Sequence, residues 1–312
     1  MVKGSALIVG ASGFLGLYLA RLCQARWNLL AVDSKPPLEP WRWSGHAGGR
    51  AESVDWAGLV GDRKIEVCFF LAGSASVPAS VAQPFADFGA LLPGLASVLG
   101  YLGREHPGCR VVLFSSAAVY GNPDVLPVSE AFKVQPVSPY GAHKILAEEM
   151  VRLYTGLFPI SGRILRIFSA YGEGLRRQLL WDVLLKRETA LAEGKKAVRL
   201  WGTGKETRDF VHGEDVAHAA VLAALAGESI FEVFNVASGI ETRIEDVAQA
   251  LLGNLLPRTE VEFGGENRSG DPIHWRADVT ALKNLGWSPR VAIDDGLRRY
   301  QAWFEEVRKT AG

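Results

Sequence analysis

The sequence has no excess of charge of either sign: its 312 residues carry 34 Lys and Arg against 34 Asp and Glu. A nucleic-acid binder shows a basic surplus and an acidic disordered chain the opposite, so neither class fits. Cysteine is scarce. Cys23, Cys68 and Cys109 are widely spaced, odd in number and in no Cys-x-x-Cys pair, which leaves no disulfide framework or zinc knuckle. No pair of the six histidines has metal-ligand spacing with supporting acids, so no metal is expected. All six, His143 and His212 included, read as structural or surface residues. No uncharged apolar run reaches membrane-spanning length; the stretch from Ala90 to Leu102 is short and holds Pro93. No secretory leader is expected either, since a strand-like run begins at Ser5. The expectation is a soluble, cytoplasmic-type protein with neither nucleic acid nor membrane as partner.

What is present is a sizeable core, at 48% hydrophobic residues, in a chain of one large or two ordinary domains. Nearly continuous apolar runs at Ala6–Val9, Asn28–Val32, Val67–Leu71, Arg110–Phe114, Arg163–Phe168 and Phe231–Val236 suit strands buried on both faces. Helical patterns lie between them at Leu15–Ala25, Pro139–Tyr154 and Asp215–Ala226. This alternation predicts an α/β fold, a doubly wound parallel Rossmann sheet, with a smaller C-terminal α/β substrate domain. The boundaries drawn are 1–168 and 206–236 for the dinucleotide-binding domain, and 169–205 and 237–312 for the substrate domain. From Ser34 to Arg50, prolines, tryptophans and glycines leave no clear third strand, and a loop or curtailed strand is expected.

Directly after the first run comes Gly10-Ala-Ser-Gly13-Phe14-Leu15-Gly16, then a helix. Glycines at this spacing permit a tight turn, close approach of backbone to a pyrophosphate and close helix–strand packing. The helix start then offers free N–H groups and a positive dipole end. Asp33, about 20 residues on, ends the second strand where a carboxylate accepts from an adenosine ribose and repels a 2′-phosphate. NAD is therefore favoured over NADP, although Lys35 is close by.

Arg110 to Ser116 is a buried strand that delivers hydroxyls at its carboxyl end. Downstream, Ser138 and Pro139 suit the start of a helix on which Tyr140 and Lys144, four apart, share a face. A tyrosine titrates near 10, too high for a base at neutral pH. An adjacent ammonium together with a nicotinamide cation would favour phenolate. A drop of roughly three units corresponds to about 4 kcal/mol. The ordinary alternative is a Tyr–Lys pair on a solvated helix.

Taken together, these residues resemble the extended short-chain dehydrogenase/reductase superfamily, in particular its NAD-dependent nucleotide-sugar epimerases and dehydratases of the UDP-glucose 4-epimerase kind. Further matching motifs are Leu71-Ala72-Gly73 with Ser76 and Ser80, Ser115-Ser116 with Val119-Tyr120-Gly121, and Arg208-Asp-Phe-Val-His212 with Asp215. Arg268-x-Gly270-Asp271 and Leu285-Gly-Trp287-x-Pro289 complete the set. The resemblance implies Ser116, Tyr140 and Lys144 as catalytic residues: Ser116 on the sugar hydroxyl, Tyr140 as base, Lys144 supporting Tyr140 and the cofactor. It implies NAD held by Gly10, Gly13, Phe14, Leu15, Gly16, Asp33, Leu71, Ala72, Gly73, Tyr140 and Lys144. A nucleotide-diphosphate sugar would meet Ser76, Ser116, Ser169, Gln178, Arg208 and Arg268, the arginines suiting phosphate through paired hydrogen bonds. Trp201, in Leu200-Trp201-Gly202, either lies against a nucleobase or belongs to the core.

Family dehydratases and decarboxylases carry acids just after the catalytic hydroxyl, where this chain has Ala117 and Ala118. That leaves hydride transfer alone and implies a 4-epimerase working through a transient 4-keto sugar. An NAD(P)H-dependent 4-keto-sugar reductase and a nonenzymatic dinucleotide sensor are the competing readings. Ser169 and Leu91 stand where the family commonly has Asn, and the 174–181 loop is unlike the common version, so the sugar pocket is expected to be distinctive. Family members are usually homodimers joined by two helices per subunit, here the Phe85–Gly103 segment and the helix from Pro139. Between Arg163 and Arg208 stand 11 basic and 5 acidic residues, a local surplus that the overall balance conceals.

Overall fold

The computed structural model describes residues 4–37, 39–253, 255–265 and 273–311. Its centre is a seven-stranded parallel sheet made of β1 (Ser5–Val9), β2 (Asn28–Asp33), β3 (Trp43–Gly48), β4 (Ile65–Phe70), β5 (Arg110–Ser116), β6 (Ser161–Ile167) and β7 (Phe231–Val236). The spatial order is β7-β6-β5-β4-β1-β2-β3. The order reverses between β1 and β4, the place where open α/β sheets open a ligand crevice at the carboxyl ends of their strands.

Side chains alternate across each strand, so every strand feeds two cores. Ile8, Ala31, Phe69 and Val112 join one hydrophobic cluster, and Leu7, Leu30, Phe70 and Val111 join the other. Helices α1 (Phe14–Cys23) and α5 (Gly213–Leu225) cover the first face, while α2 (Pro84–Glu105) and α3 (Pro139–Leu157) cover the second. A third cluster, including Leu180, Val183, Val198, Phe210, Leu251, Tyr300 and Phe304, joins α4 (Gln178–Ala192) and α6 (Ile293–Ala311) beyond the sheet's carboxyl edge. Short strand pairs connect this layer to the sheet, such as Ser169–Tyr171 with Phe210–His212. Phe210 thus contributes to the outer core although it lies in the 206–236 segment expected to belong wholly to the Rossmann half.

The third strand is a real one. β3 pairs in parallel with β2, and its side chains alternate between exposed and half-buried. At the sheet edge a strand buries little, so Trp-Ser-Gly-His-Ala-Gly suffices and carries no continuous apolar run.

Helix α2 runs unbroken through Pro93. Proline lacks the N–H that the carbonyl four residues earlier would accept. That carbonyl, Gly89 O, accepts from Arg50 Nη2 instead. By length and composition α2 would suffice to cross a membrane, yet Leu91, Leu92, Leu95, Val98, Leu99 and Leu102 are buried in the core.

At the opposite edge of the sheet, Arg163 is 0% exposed and donates to Ser229 O at 2.8 Å and Ala226 O at 3.0 Å, closing the loop after α5. Replacing it with Leu strands these carbonyls, and stability is expected to fall by about 3 kcal/mol in a urea titration.

Candidate active site

A cleft of about 1190 Å³ lies along the carboxyl edge of the sheet, between it and the outer layer. Its wall gathers Gly10, Gly13, Phe14, Leu15, Gly16, Asp33, Leu71, Ala72, Gly73, Ser76, Ser116, Tyr140, Lys144, Ser169, Gln178 and Arg208, residues separated by up to two thirds of the chain. Of the site residues expected from sequence, Arg268 lies outside the described residues.

The glycine loop is shaped by contact as well as by turn geometry. Gly10 has φ +95°, and a Cβ there would come within 2.7 Å of Ala72 N. A Cβ at Gly16 would come within 2.4 Å of Ala11 O, so only glycine lets α1 start this close to the turn. Gly13 caps α1 in an extended conformation, and the first-turn amides have no intrahelical acceptors, as at any helix start. Asp33 closes the same loop. Its carboxylate accepts from Ser12 N at 2.9 Å and Lys35 N at 3.1 Å, so it is the backbone of Lys35 that meets the acid. A cradle that a side chain would fill, a helix start and a rim carboxylate fit an adenosine diphosphate moiety.

β5 ends at Ser116, whose Oγ accepts from Ala118 N at 3.2 Å and caps a 3₁₀ turn. Ala117 and Ala118 form that turn and are buried, so methyl groups, not acids, follow Ser116. Across from Ser116, Ser138 caps α3 by accepting from Gly141 N, while Tyr140 N donates to the buried Ser80 Oγ at 3.1 Å. The Ser116 hydroxyl neighbours the Tyr140 phenol and favours its ionised form. Lys144 Nζ donates to Phe114 O at 2.8 Å and stands 5.7 Å from the centre of the Tyr140 ring.

Burial dominates the charges at this site. Burial pushes the Tyr140 phenol above its ordinary value; Ser116 and Arg177 pull it back and Asp87 adds to the rise. Lys144, 5.7 Å from the ring centre, is not among the groups acting on it. Burial also lowers Lys144, to about 8, against the opposing pull of Asp87 and Glu148. The folded protein thus releases the Lys144 proton at about 8, whereas the unfolded chain holds it to about 10.5. Between those values unfolding takes up a proton, so this group's destabilisation is complete below pH 8 and fades as pH rises. Lys144→Met lacks that gain, and urea titrations between pH 8 and 10 are expected to show the wild type improving relative to it.

Glu148, one turn beyond Lys144, is buried and receives Arg166 Nη2 at 2.8 Å. Arg166 Nη1 also donates to Tyr120 Oη at 3.1 Å, and Tyr120 donates to Asn235 Oδ1 at 2.7 Å. This chain of bonds ties α3, β6 and β7 together directly behind the catalytic helix.

On the outer wall, the guanidinium of Arg208 lies 5.7 Å from the centre of the Trp275 ring and donates to Thr207 O at 2.9 Å. Trp201 lines the cleft at 55% exposure, which removes it from the core. Ser169 N is held by Asp209 O at 3.0 Å. Gln178 opens α4 at φ +66°, a left-handed conformation that costs a non-glycine residue of order 1–3 kcal/mol.

Sequence reasoning missed several contributors. Arg177 lines the cleft and acts electrostatically on Tyr140. His143 and His212 are both structural: His143 Nδ1 meets Asp87 Oδ2 at 2.6 Å, and His212, 1% exposed, is bound to Glu173. Among the described residues no group of three or more His, Cys, Asp or Glu has metal-site geometry. The cue for Arg177 was its basic neighbourhood; nothing local signalled the Asp87 pairing.

Comparison with known proteins agrees with this geometry. A UDP-glucose 4-epimerase from Mycolicibacterium smegmatis is 30% identical over 322 residues, covering 96% of this chain and 97% of the relative. UDP-glucuronic acid decarboxylase 1 from Danio rerio is 28% identical over 96% of this chain and 72% of its own length. The solved structure of MoeE5 in complex with UDP-glucuronic acid and NAD superimposes with a TM-score of 0.85 at 27% identity, covering 97% of this chain and all of that one. The model of the NAD dependent epimerase/dehydratase family matches residues 6–237, and the chain belongs to that family.

Proposed function

We propose that the protein is a nucleotide-sugar 4-epimerase that keeps its NAD through the cycle. The observation that carries this reading is Ser116, Tyr140 and Lys144 converging on one cleft with the glycine loop, while Ala117 and Ala118 replace the acids that elimination and decarboxylation use. Bound NAD supplies a hydride acceptor and a positive ring. Gly10, Gly13, Phe14, Leu15 and Gly16 cradle its diphosphate, Leu71, Ala72 and Gly73 flank it, and Asp33 takes the adenosine ribose. Lys144 holds the nicotinamide ribose through the N–H bonds left after Phe114 O.

Bound NAD would take the C4 hydride and return it to the opposite face; Ser116 orients the sugar 4-hydroxyl, Tyr140 takes its proton and gives it back, and the cleft leaves the 4-keto sugar room to turn between. On the cleft wall Arg208 would meet the diphosphate, Ser76, Ser169 and Gln178 the sugar, and Trp201 offers a face to the base. Incubation with UDP-, GDP-, CDP- and dTDP-sugars, followed by NMR and without added cofactor, should yield a C4 epimer of one sugar. Steady NADPH oxidation by a keto-sugar with no epimer formed would instead identify a reductase.

The reading extends to a homodimer. Phe85 is 86% exposed on α2, and Leu146, Leu153 and Leu157 form an exposed apolar row on the adjacent α3. A second copy laying the same two helices against these would bury them as a four-helix bundle. Light scattering is expected to give the mass of two chains for the wild type and of one for the Leu153→Glu/Leu157→Glu variant.

A further inference from the structure

Beside Tyr140 and Lys144, but outside the cleft wall, lies a second acid–base pair that the reaction scheme above does not use. Asp87 sits in the first turn of α2, and its side chain is 4% exposed. Its Oδ2 meets His143 Nδ1 at 2.6 Å, and the His143 ring is held edge-on to Phe88 with centroids 5.6 Å apart. Asp87 Oδ1 is buried with no hydrogen-bond partner. A buried carboxylate oxygen without a donor is costly, and its charge is felt by whatever ionises nearby. His143 stands between Tyr140 and Lys144 in sequence, on the same helix.

We infer that Asp87 and His143 are positioning residues for Tyr140 and Lys144, Asp87 placing a buried charge behind the two side chains and the His143 imidazole, paired with it, screening that charge. The inference rests on Tyr140 being the base. Its support beyond geometry is that Asp87 is among the groups raising both Tyr140 and Lys144.

The other charges around the pair are already engaged or lie on the far side of the catalytic residues. Glu148 on α3 is bound by Arg166, and Arg177 approaches Tyr140 from the start of α4. Arg50 and Glu52, which pack on α2 near Gly89 and Gly94, pair with each other. The helix Val77–Ala82, packed against both α2 and α3, has no ionisable side chain. Asp87 is therefore the one buried acid facing this part of α3 from α2 among the described residues, and His143 is its direct counter-charge.

Two variants separate tuning from mere packing. Asp87→Asn removes the negative charge and keeps the shape. Both limbs of the kcat/KM profile against pH are expected to move to lower pH, by about one unit. His143→Gln keeps a donor for Asp87 but cannot carry a proton, and both limbs are expected to move to higher pH. Independently of turnover, the Tyr140 Cζ resonance of ¹³C-tyrosine-labelled protein, assigned with Tyr140→Phe, should titrate lower in Asp87→Asn and higher in His143→Gln. A lower maximum with unmoved limbs and an unmoved resonance overturns the inference and leaves the pair a packing element. Should Asp87→Asn not fold, the direction of the His143→Gln shift decides alone. Full activity in Tyr140→Phe would overturn the base assignment itself, a result distinct from unmoved limbs in an enzyme that needs Tyr140.

Discussion

Tyr140→Phe is expected to lower kcat for epimerisation by about a thousandfold while leaving the urea midpoint within error of wild type. The substitution removes only the hydroxyl. The ring keeps its place opposite Lys144, and the backbone N–H keeps its bond to Ser80. The missing oxygen is the one atom positioned beside Ser116 to exchange a proton with a sugar hydroxyl. KM should change little, because binding rests on the arginine and backbone contacts farther along the cleft. A loss smaller than tenfold would remove Tyr140 from the role of base. Parallel loss of the urea midpoint would mean that the hydroxyl supports the fold.

Glu148→Leu is expected to be the most destabilising single change near the site, costing about 3–5 kcal/mol. It leaves Arg166, 7% exposed, without the carboxylate that holds its Nε and Nη2. Little water reaches that position, so the uncompensated guanidinium bears most of its desolvation cost. The double variant Glu148→Leu/Arg166→Leu should recover much of the loss, since removing both charges also removes the need to satisfy them. A urea series on the three proteins checks this, and equal losses for the single and double variants would contradict it. Activity should fall in Glu148→Leu even where it folds, because Glu148 is one of the groups that keep Lys144 protonated.

The residues legible in the sequence are those whose chemistry is local. β1, β2 and β4–β6 are mostly buried and spell that out as apolar runs, whereas β3 lies at an edge and spells out almost nothing. The glycine loop is legible because its requirements, a positive φ and no Cβ, admit one residue type. Tyr140 and Lys144 are legible because a helical turn fixes their distance. Trp201 was open between core and cleft because a tryptophan in a glycine-flanked turn suits either, and only the packing of the outer layer exposes it. The sign of the shift at Tyr140 was not legible, since burial, which raises it, is a property of the assembled cleft. The continuation of α2 through Pro93 was not legible, because Arg50, which serves the freed carbonyl, lies 43 positions earlier and reaches it only in the folded chain. Asp87 and His143, 56 positions apart, meet for the same reason.

The central claim is that hydride leaves C4 of the sugar and returns to the same carbon without leaving the protein. A nucleotide sugar deuterated at C4 and incubated with the protein and no added cofactor tests it directly by NMR. The account predicts an epimer that retains the deuterium at C4. Replacement of that deuterium by solvent hydrogen, or dependence of product on external NAD(P)H, would contradict it.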